Sequence, residues 1–73
     1  MSLREQLSGA RWVQYDADTD LTFAWFGGHG VHVYRDSGDE MDFFNVRSAQ
    51  NHVSLDEVIA AVHDKIAQYH DMG

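Results

Sequence analysis

The chain has 73 residues, and its twelve Asp and Glu against five Lys and Arg give a formal net charge of -7 at pH 7. We expect one domain, residues 1–73, because proteins of this size bury only about 60% of their unfolded surface and cannot be divided further. The absence of cysteine excludes a disulfide framework and a thiolate zinc site, and the negative charge argues against direct binding to nucleic acid or anionic lipid.

The charge balance also bears on partners and location. An acidic protein is suited to basic proteins or to cations. Nine Asp, three Glu and the single Lys65 are also typical of a salt-adapted or high-GC host, in which acidity serves only solubility. No apolar run approaches the roughly 18 residues of a membrane span, and the N-terminus lacks the apolar stretch of a signal peptide. We therefore expect a cytoplasmic protein with no membrane partner.

The first predicted element is a short helix over residues 2–9. Ser2 stands at the N-cap position, and Glu5 follows at the capping-box position. Gly9 is a helix stop signal. A helix this short depends on packing, because so few residues do not form a stable helix alone.

Four strands are predicted next, because runs rich in aromatic and β-branched residues alternate with Asp and Gly clusters. The runs are Trp12–Tyr15, Leu21–Phe26, Val31–Tyr34 and Glu40–Val46. The segments between them are short enough for hairpins, and Gly27–Gly30 provides the middle turn. The pattern predicts an antiparallel β-meander of four strands.

The last predicted element is a C-terminal helix from about Ser54 to His70. Ser54 and Glu57 form a capping box, and apolar residues then recur at helical spacing on one narrow stripe. The stripe consists of Leu55, Val58, Ile59, Val62, Ile66 and Tyr69. The predicted fold class is therefore α+β, a four-stranded antiparallel β-meander with one C-terminal amphipathic helix packed on one face and a short N-terminal helix.

Alternation along the strands sorts the side chains onto two faces of the predicted sheet. The face expected beneath the helix is apolar throughout and holds Val13, Tyr15, Leu21, Phe23, Trp25, Val31, Val33, Met41 and Phe43. The other face is polar in part and holds Trp12, Gln14, Thr22, Ala24, Phe26, His32, Tyr34, Asp42 and Phe44. One helix cannot cover both faces, so the second face needs another explanation.

The second face is the first candidate binding surface, since contiguous exposed apolar surface marks interaction sites and aromatic residues often anchor them. The candidate residues of this aromatic face are Trp12, Phe26, His32, Tyr34 and Phe44. It is either a dimer interface, an interface for a target protein, or a surface partly covered by residues 2–11. The sequence leaves these alternatives open.

The second candidate surface is acidic. Seven of the twelve carboxylates fall in the segments Asp16–Asp20 and Asp36–Asp42, which connect consecutive strands. In a meander the first and third connections lie at the same end of the sheet, and the C-terminal helix runs back toward that end with His70. We name this predicted surface the acidic rim, and its candidate binding residues are Asp16, Asp18, Asp20, Asp36, Asp39 and Glu40.

No motif for metal binding or catalysis is complete. Asp16, Asp18 and Asp20 resemble the opening of a calcium loop, but Leu21 stands where that loop needs Gly, and Gly27 where it needs a bidentate Glu. The five histidines show no specific ligand spacing, and no nucleophile elbow or zinc-protease motif occurs. We expect no enzymatic activity, no metal site and no cofactor.

These observations favour a non-catalytic module that binds another protein, one that is basic, through the acidic rim, the aromatic face or both. In size, acidity and layout the chain resembles, in general type, the small inhibitors encoded by phages and mobile elements, including anti-CRISPR and anti-restriction proteins. That resemblance implies a partner that binds nucleic acid, with carboxylates standing in for phosphates. The alternatives are a small homodimer whose acidity reflects its host, and a divalent-metal-binding module.

Overall fold

Residues 2–48 and 50–72 are described by a computed structural model. Two helices and four strands follow one another along the chain as α1 (Leu3–Gln6), β1 (Trp12–Asp16), β2 (Leu21–Trp25), β3 (Gly30–Arg35), β4 (Glu40–Asn45) and α2 (Leu55–Met72). Neither helix of the described residues is long and apolar enough to cross a lipid bilayer. The α+β class and the order of elements agree with the sequence-based prediction.

The N-terminal helix α1 is shorter than predicted. The Glu5 amide donates a hydrogen bond of 3.3 Å to Ser2 Oγ, so Ser2 caps the helix as expected. The helix ends at Gln6 instead of continuing to residue 9, and Gly9 then adopts a φ of +85°, which glycine tolerates without strain. The result is a single helical turn before β1.

The long helix α2 begins where the capping box predicts. The Ser54 amide donates to Glu57 Oε1 at 2.9 Å, and the Glu57 amide donates to Ser54 Oγ at 3.3 Å. Ser48 Oγ also donates to Glu57 Oε1 at 3.0 Å. These bonds, led by the one from the Ser54 backbone, lower the pKa of the Glu57 carboxyl and fix the start of the helix.

The strands form one sheet in the order β1-β2-β3-β4, with every neighbouring pair antiparallel. The predicted meander is therefore confirmed. Its first and third connections lie at one end of the sheet. At the opposite end, the Val46 amide donates to the His29 carbonyl at 2.7 Å and ties the glycine-rich turn to the exit of β4.

The core lies between α2 and one face of the sheet, which we call the helix face. Its fully buried large side chains are Phe23, Val31, Val33, Val58 and Val62. Burial of apolar side chains is the main favourable contribution to folding. Leu21, Trp25, Val46 and Val53 complete the buried cluster.

The face assignment predicted for β1 is wrong. Trp12 and Gln14 stand directly opposite Trp25 and Phe23, and therefore lie on the helix face. Val13 and Tyr15, which were expected beneath the helix, lie on the other face. In β1 the apolar residues occupy both alternating positions, so hydrophobic pattern alone could not choose between two arrangements that differ by one residue.

The face assignment predicted for β4 is wrong as well, for a different reason. Val33 pairs with Asp42 while Tyr34 pairs with Glu40, so Met41 is an extra residue in a β-bulge. Met41 still packs against the core, as expected. Beyond the bulge the alternation is inverted. Asp42 and Phe44 lie on the helix face, and Phe43 lies on the other face opposite His32.

Candidate functional site

The face of the sheet turned away from α2 is the main candidate surface, and we call it the open face. Register and ring contacts place on it Val13, Tyr15, Thr22, Ala24, Phe26, Gly30, His32, Tyr34, Glu40 and Phe43. Trp12 and Phe44, two residues predicted for the aromatic face, are absent from it because both pack against the core. Phe26, His32 and Tyr34 lie on it as predicted.

Burial differs between the middle and the margins of the open face. Thr22, Ala24 and Tyr34, on the two central strands, are buried. The large apolar side chains on the edge strands are exposed: Val13 at 42%, Tyr15 at 54% and Phe43 at 47% of their reference surface. Val13, Tyr15 and Phe43 are the open-face residues that sequence reasoning missed. The alternation in β1 gave no signal for Val13 and Tyr15, and the bulge in β4 moved Phe43 to this face.

An aromatic cluster surrounds His32 on this face. Its imidazole meets the ring of Phe43 edge-on at a centroid distance of 4.8 Å and that of Phe26 at 5.3 Å, and it stacks on Tyr34 at 6.1 Å. Gly30 is part of this arrangement, because a Cβ there would lie 2.0 Å from Cζ of Phe43. The absence of a side chain at Gly30 leaves room for the outer end of the Phe43 ring beside the backbone of β3.

Glu40 adds a carboxylate to the aromatic cluster. Its Oε1 lies 2.5 Å from Nδ1 of His32, which links β3 to β4 across the open face. Glu40 also acts on Tyr34, whose phenol pKa is raised first by burial and then by the nearby negative charge. Of the predicted rim residues, Glu40 is therefore the one that belongs to both candidate surfaces.

The acidic loops meet the open face at Tyr15. Its hydroxyl donates a hydrogen bond of 2.5 Å to Asp20, a residue in the left-handed region with φ of +59°. That bond raises the pKa of the Tyr15 phenol, and the charges of Asp20, Asp36 and Asp16 raise it further. Since Asp36 belongs to the other acidic connection, both loops act on the same exposed ring.

Asp16 fixes the first acidic loop and links it to α2. It accepts hydrogen bonds from the Thr19 amide at 3.2 Å and the Thr19 hydroxyl at 2.6 Å, and Nε2 of His70 lies 3.3 Å away. The hydrogen bond from the Thr19 hydroxyl is the largest cause of the lowered pKa of Asp16, with a smaller contribution from His70. The end of α2 thus reaches the acidic rim, as the sequence predicts.

Asp16, Asp18 and His70 also form the one group of candidate metal ligands in the described residues, with ligand atoms within 4.8 Å of one another. His70 Nε2 lies 3.3 Å from Asp16 and 3.9 Å from Asp18. The imidazole can therefore pair with both carboxylates by itself.

The remaining rim residue, Asp39, lies in the second acidic loop. Its carboxylate accepts a hydrogen bond from Ser37 Oγ at 3.3 Å, and its backbone carbonyl accepts one from the Arg35 amide at 2.9 Å. Gly38 in this tight turn has a φ of +98°, which glycine adopts without strain. The six predicted rim residues thus share one end of the sheet, with Glu40 on the open face and Asp16 turned toward α2.

A third polar group lies on the helix face and joins α2 to β4. The Tyr69 hydroxyl donates to Asp42 Oδ2 at 2.6 Å, and Lys65 Nζ lies 3.8 Å from the same oxygen. This hydrogen bond is the largest cause of the lowered pKa of Asp42, while burial and the carboxylate raise the pKa of Tyr69. The group is half-buried and stabilises the packing of the helix.

The fold and the two surfaces define the class of the molecule, a small acidic α+β domain with a helix on one face of a meander and an aromatic open face beside an acidic rim. Comparisons with protein-family models, curated proteins and solved structures found no match.

Proposed function

We propose that the protein is a non-catalytic binding module in which the open face and the acidic rim together receive a basic surface of another protein. The carrying observation is the exposure of Val13, Tyr15 and Phe43 next to carboxylates. Exposed apolar side chains surrounded by polar groups are typical of protein interfaces. Here the adjacent polar groups, Asp20 and Glu40, have one sign of charge.

Aromatic and acidic groups would have separate roles in this interface. Tyr15 and Phe43 are rigid rings on edge strands, well placed to be buried by a partner as its anchoring contacts. An arginine of the partner can stack on either ring and reach a carboxylate at the same time. The rim contributes mainly to the rate of encounter and to selection of a basic partner.

The charge distribution gives this proposal its finer form, an inhibitor of a nucleic-acid-binding protein. Carboxylates on two loops concentrate negative charge at one end of the sheet, and in such an inhibitor they would stand in for phosphates. The residues that would take this role are Asp16, Asp18, Asp20, Asp36, Asp39 and Glu40. Of these, Asp20 accepts the hydrogen bond of the exposed Tyr15 hydroxyl, and the charge of Asp36 acts on the same phenol, so both carboxylates adjoin an aromatic contact.

Two synthetic peptides of equal length test the proposal, one alternating Arg with Leu and the other alternating Glu with Leu, each labelled for fluorescence anisotropy. We expect the basic peptide to bind and its affinity to fall with added salt, while the acidic peptide does not bind. Asp20→Asn with Asp36→Asn should weaken binding roughly fivefold, because an exposed charge contact contributes up to about 1 kcal/mol.

The matched control is Asp56→Asn with Asp64→Asn, which changes the net charge equally on the exposed surface of α2. If the rim pair and the helix pair weaken peptide binding equally, the attraction is a bulk charge effect and the proposed interface is wrong. If Phe43→Ser leaves affinity unchanged while the rim pair lowers it, the open face has no part in binding.

A further inference from the structure

The two edges of the sheet differ in how they are protected against pairing with another strand. Exposed edges tend to extend a sheet, and proteins prevent this with bulges and with charges in the edge strand. The edge strand β4 has both devices, the bulge at Met41 and the charges of Glu40 and Asp42. Its geometry disfavours the addition of another strand.

The opposite edge, β1, has neither device. It pairs with β2 in regular register from Trp12 to Asp16 and has no other strand partner in the described part of the chain. It contains no glycine or proline, and its only charge is at its last residue. The exposed side chains of Val13 and Tyr15 stand on it as an apolar pair.

We propose that β1 pairs antiparallel with β1 of a second copy of the chain. Pairing centred on Gln14 sets Val13 of each copy opposite Tyr15 of the other, on the open face. Pairs of a β-branched and an aromatic residue are favourable across neighbouring strands. The same strand then serves both copies, as a two-fold interface requires.

Charge at the two ends of β1 favours a second copy in antiparallel orientation. Arg11 precedes the strand and is exposed, with its side chain against Gly27, whereas Asp16 and Asp18 stand at the other end. In the pairing centred on Gln14, Arg11 lies opposite position 17 of the second copy, between those two carboxylates. The basic end of one strand therefore lies beside the acidic end of the other at both ends of the interface. A parallel pair would instead bring the two acidic loops together.

The dimer inferred here is one continuous sheet of eight strands. Because Val13 and Tyr15 of both copies lie on the same side, the two open faces join into one surface, with an acidic rim at each far end. This arrangement does not depend on the proposed function, since it leaves exposed Phe43 on the opposite edge strand uncovered. It differs from a face-to-face dimer, which would cover Phe43 and the aromatic cluster.

Sedimentation velocity over a range of protein concentrations tests the inference. We expect a reversible dimer for the natural sequence. A lysine variant (Val13→Lys with Tyr15→Lys) and a glutamate variant (Val13→Glu with Tyr15→Glu) should each raise the dimer Kd by roughly a hundredfold, because like charges then face each other. An equimolar mixture of the two should restore a dimer, since Lys then faces Glu at both positions.

The control variant is Phe43→Lys, on the open face but on the opposite edge strand. It should leave dimerisation unchanged. A natural chain that stays monomeric overturns the proposal, and so does a dimer that Phe43→Lys disrupts while the β1 variants do not. If the β1 variants fail to fold, amide exchange of the natural chain decides the question. Protection of β1 amides should rise with protein concentration, and concentration-independent exchange contradicts the proposal.

Discussion

At the scale of single residues, Gly30 shows how one position supports the aromatic cluster. The ring of Phe43 occupies the space where any other residue would place its Cβ, at 2.0 Å from Cζ and 2.4 Å from Cε2. The ring is also one of the contacts of His32. The absence of a side chain at residue 30 therefore determines where an exposed aromatic of the open face lies.

Gly30→Ala should destabilise the protein by about 1–3 kcal/mol, the usual cost of forcing additional volume into a tight contact. The Phe43 ring must rotate away or the strands must separate, and either change disturbs its edge-on contact with His32. Urea unfolding monitored by fluorescence measures the loss. Gly28→Ala is the control, because no atom lies within 4 Å of a Cβ there. Equal destabilisation by both substitutions would show that the Phe43 contact is not the cause.

Between elements, the pair Tyr69 and Asp42 connects residues 27 positions apart and attaches α2 to β4. The pKa of Asp42 is lowered in the folded protein, first by the hydrogen bond from Tyr69. A lowered pKa in the folded state contributes stability above the ordinary carboxyl pKa, and this contribution is lost as pH falls through the folded value. The attachment is therefore sensitive to acid.

Tyr69→Phe should cost about 1–2 kcal/mol near neutral pH, because it removes a hydrogen bond to a charged group. The difference between the natural chain and the variant should begin to shrink below about pH 4, where the carboxyl of the unfolded chain takes up a proton, and vanish below the lowered pKa of folded Asp42. Urea unfolding across a pH series measures both effects. Tyr15→Phe removes a similar bond to Asp20 at an exposed site and should have little effect. A difference for Tyr69→Phe that does not change with pH would contradict the role of Asp42.

Element boundaries and strand order could be predicted from local sequence signals. The capping box at Ser54, the glycine-rich turn and the Asp-rich connections are each encoded by adjacent residues. The faces of the edge strands are not encoded in this way. In β1, apolar residues occupy both alternating positions, as Trp12, Val13 and Tyr15 show. Packing against the core, and not the pattern within the strand, places Trp12 on the helix face.

The bulge at Met41 likewise made the faces of the β4 side chains impossible to assign from the sequence. A single inserted residue exchanges the faces of Phe43 and Phe44, so the predicted aromatic face included Phe44, which packs against the core, and missed Phe43 on the surface. The rim was easier to predict, because loop residues at one end of a meander stay together whichever way the strand faces point. The order of the strands was sufficient to predict the acidic rim, whereas predicting the residues of the open face required the register of strand pairing.

At the scale of the whole molecule, the question is whether the acidity is a property of the site or of the entire surface. A net charge of -7 on 73 residues destabilises the folded state by self-repulsion, which salt screens. We expect repulsion to be strongest where the charges of Asp20 and Asp36 act on the same Tyr15 phenol. Surfaces kept for binding often have such a cost in stability.

We expect the Tm to rise as sodium chloride is increased from low to physiological concentration, where the Debye length falls to about 8 Å. Asp20→Asn with Asp36→Asn should raise the Tm at low salt and reduce its dependence on salt. The control pair on α2, Asp56→Asn with Asp64→Asn, should change that dependence less, because those carboxylates are spread along an exposed helix. Thermal unfolding by circular dichroism provides the measurement, and potassium chloride in parallel separates screening from an effect of sodium. If both pairs reduce the salt dependence of the Tm equally, the negative potential at the rim is no stronger than elsewhere. The acidity would then be a property of the surface as a whole.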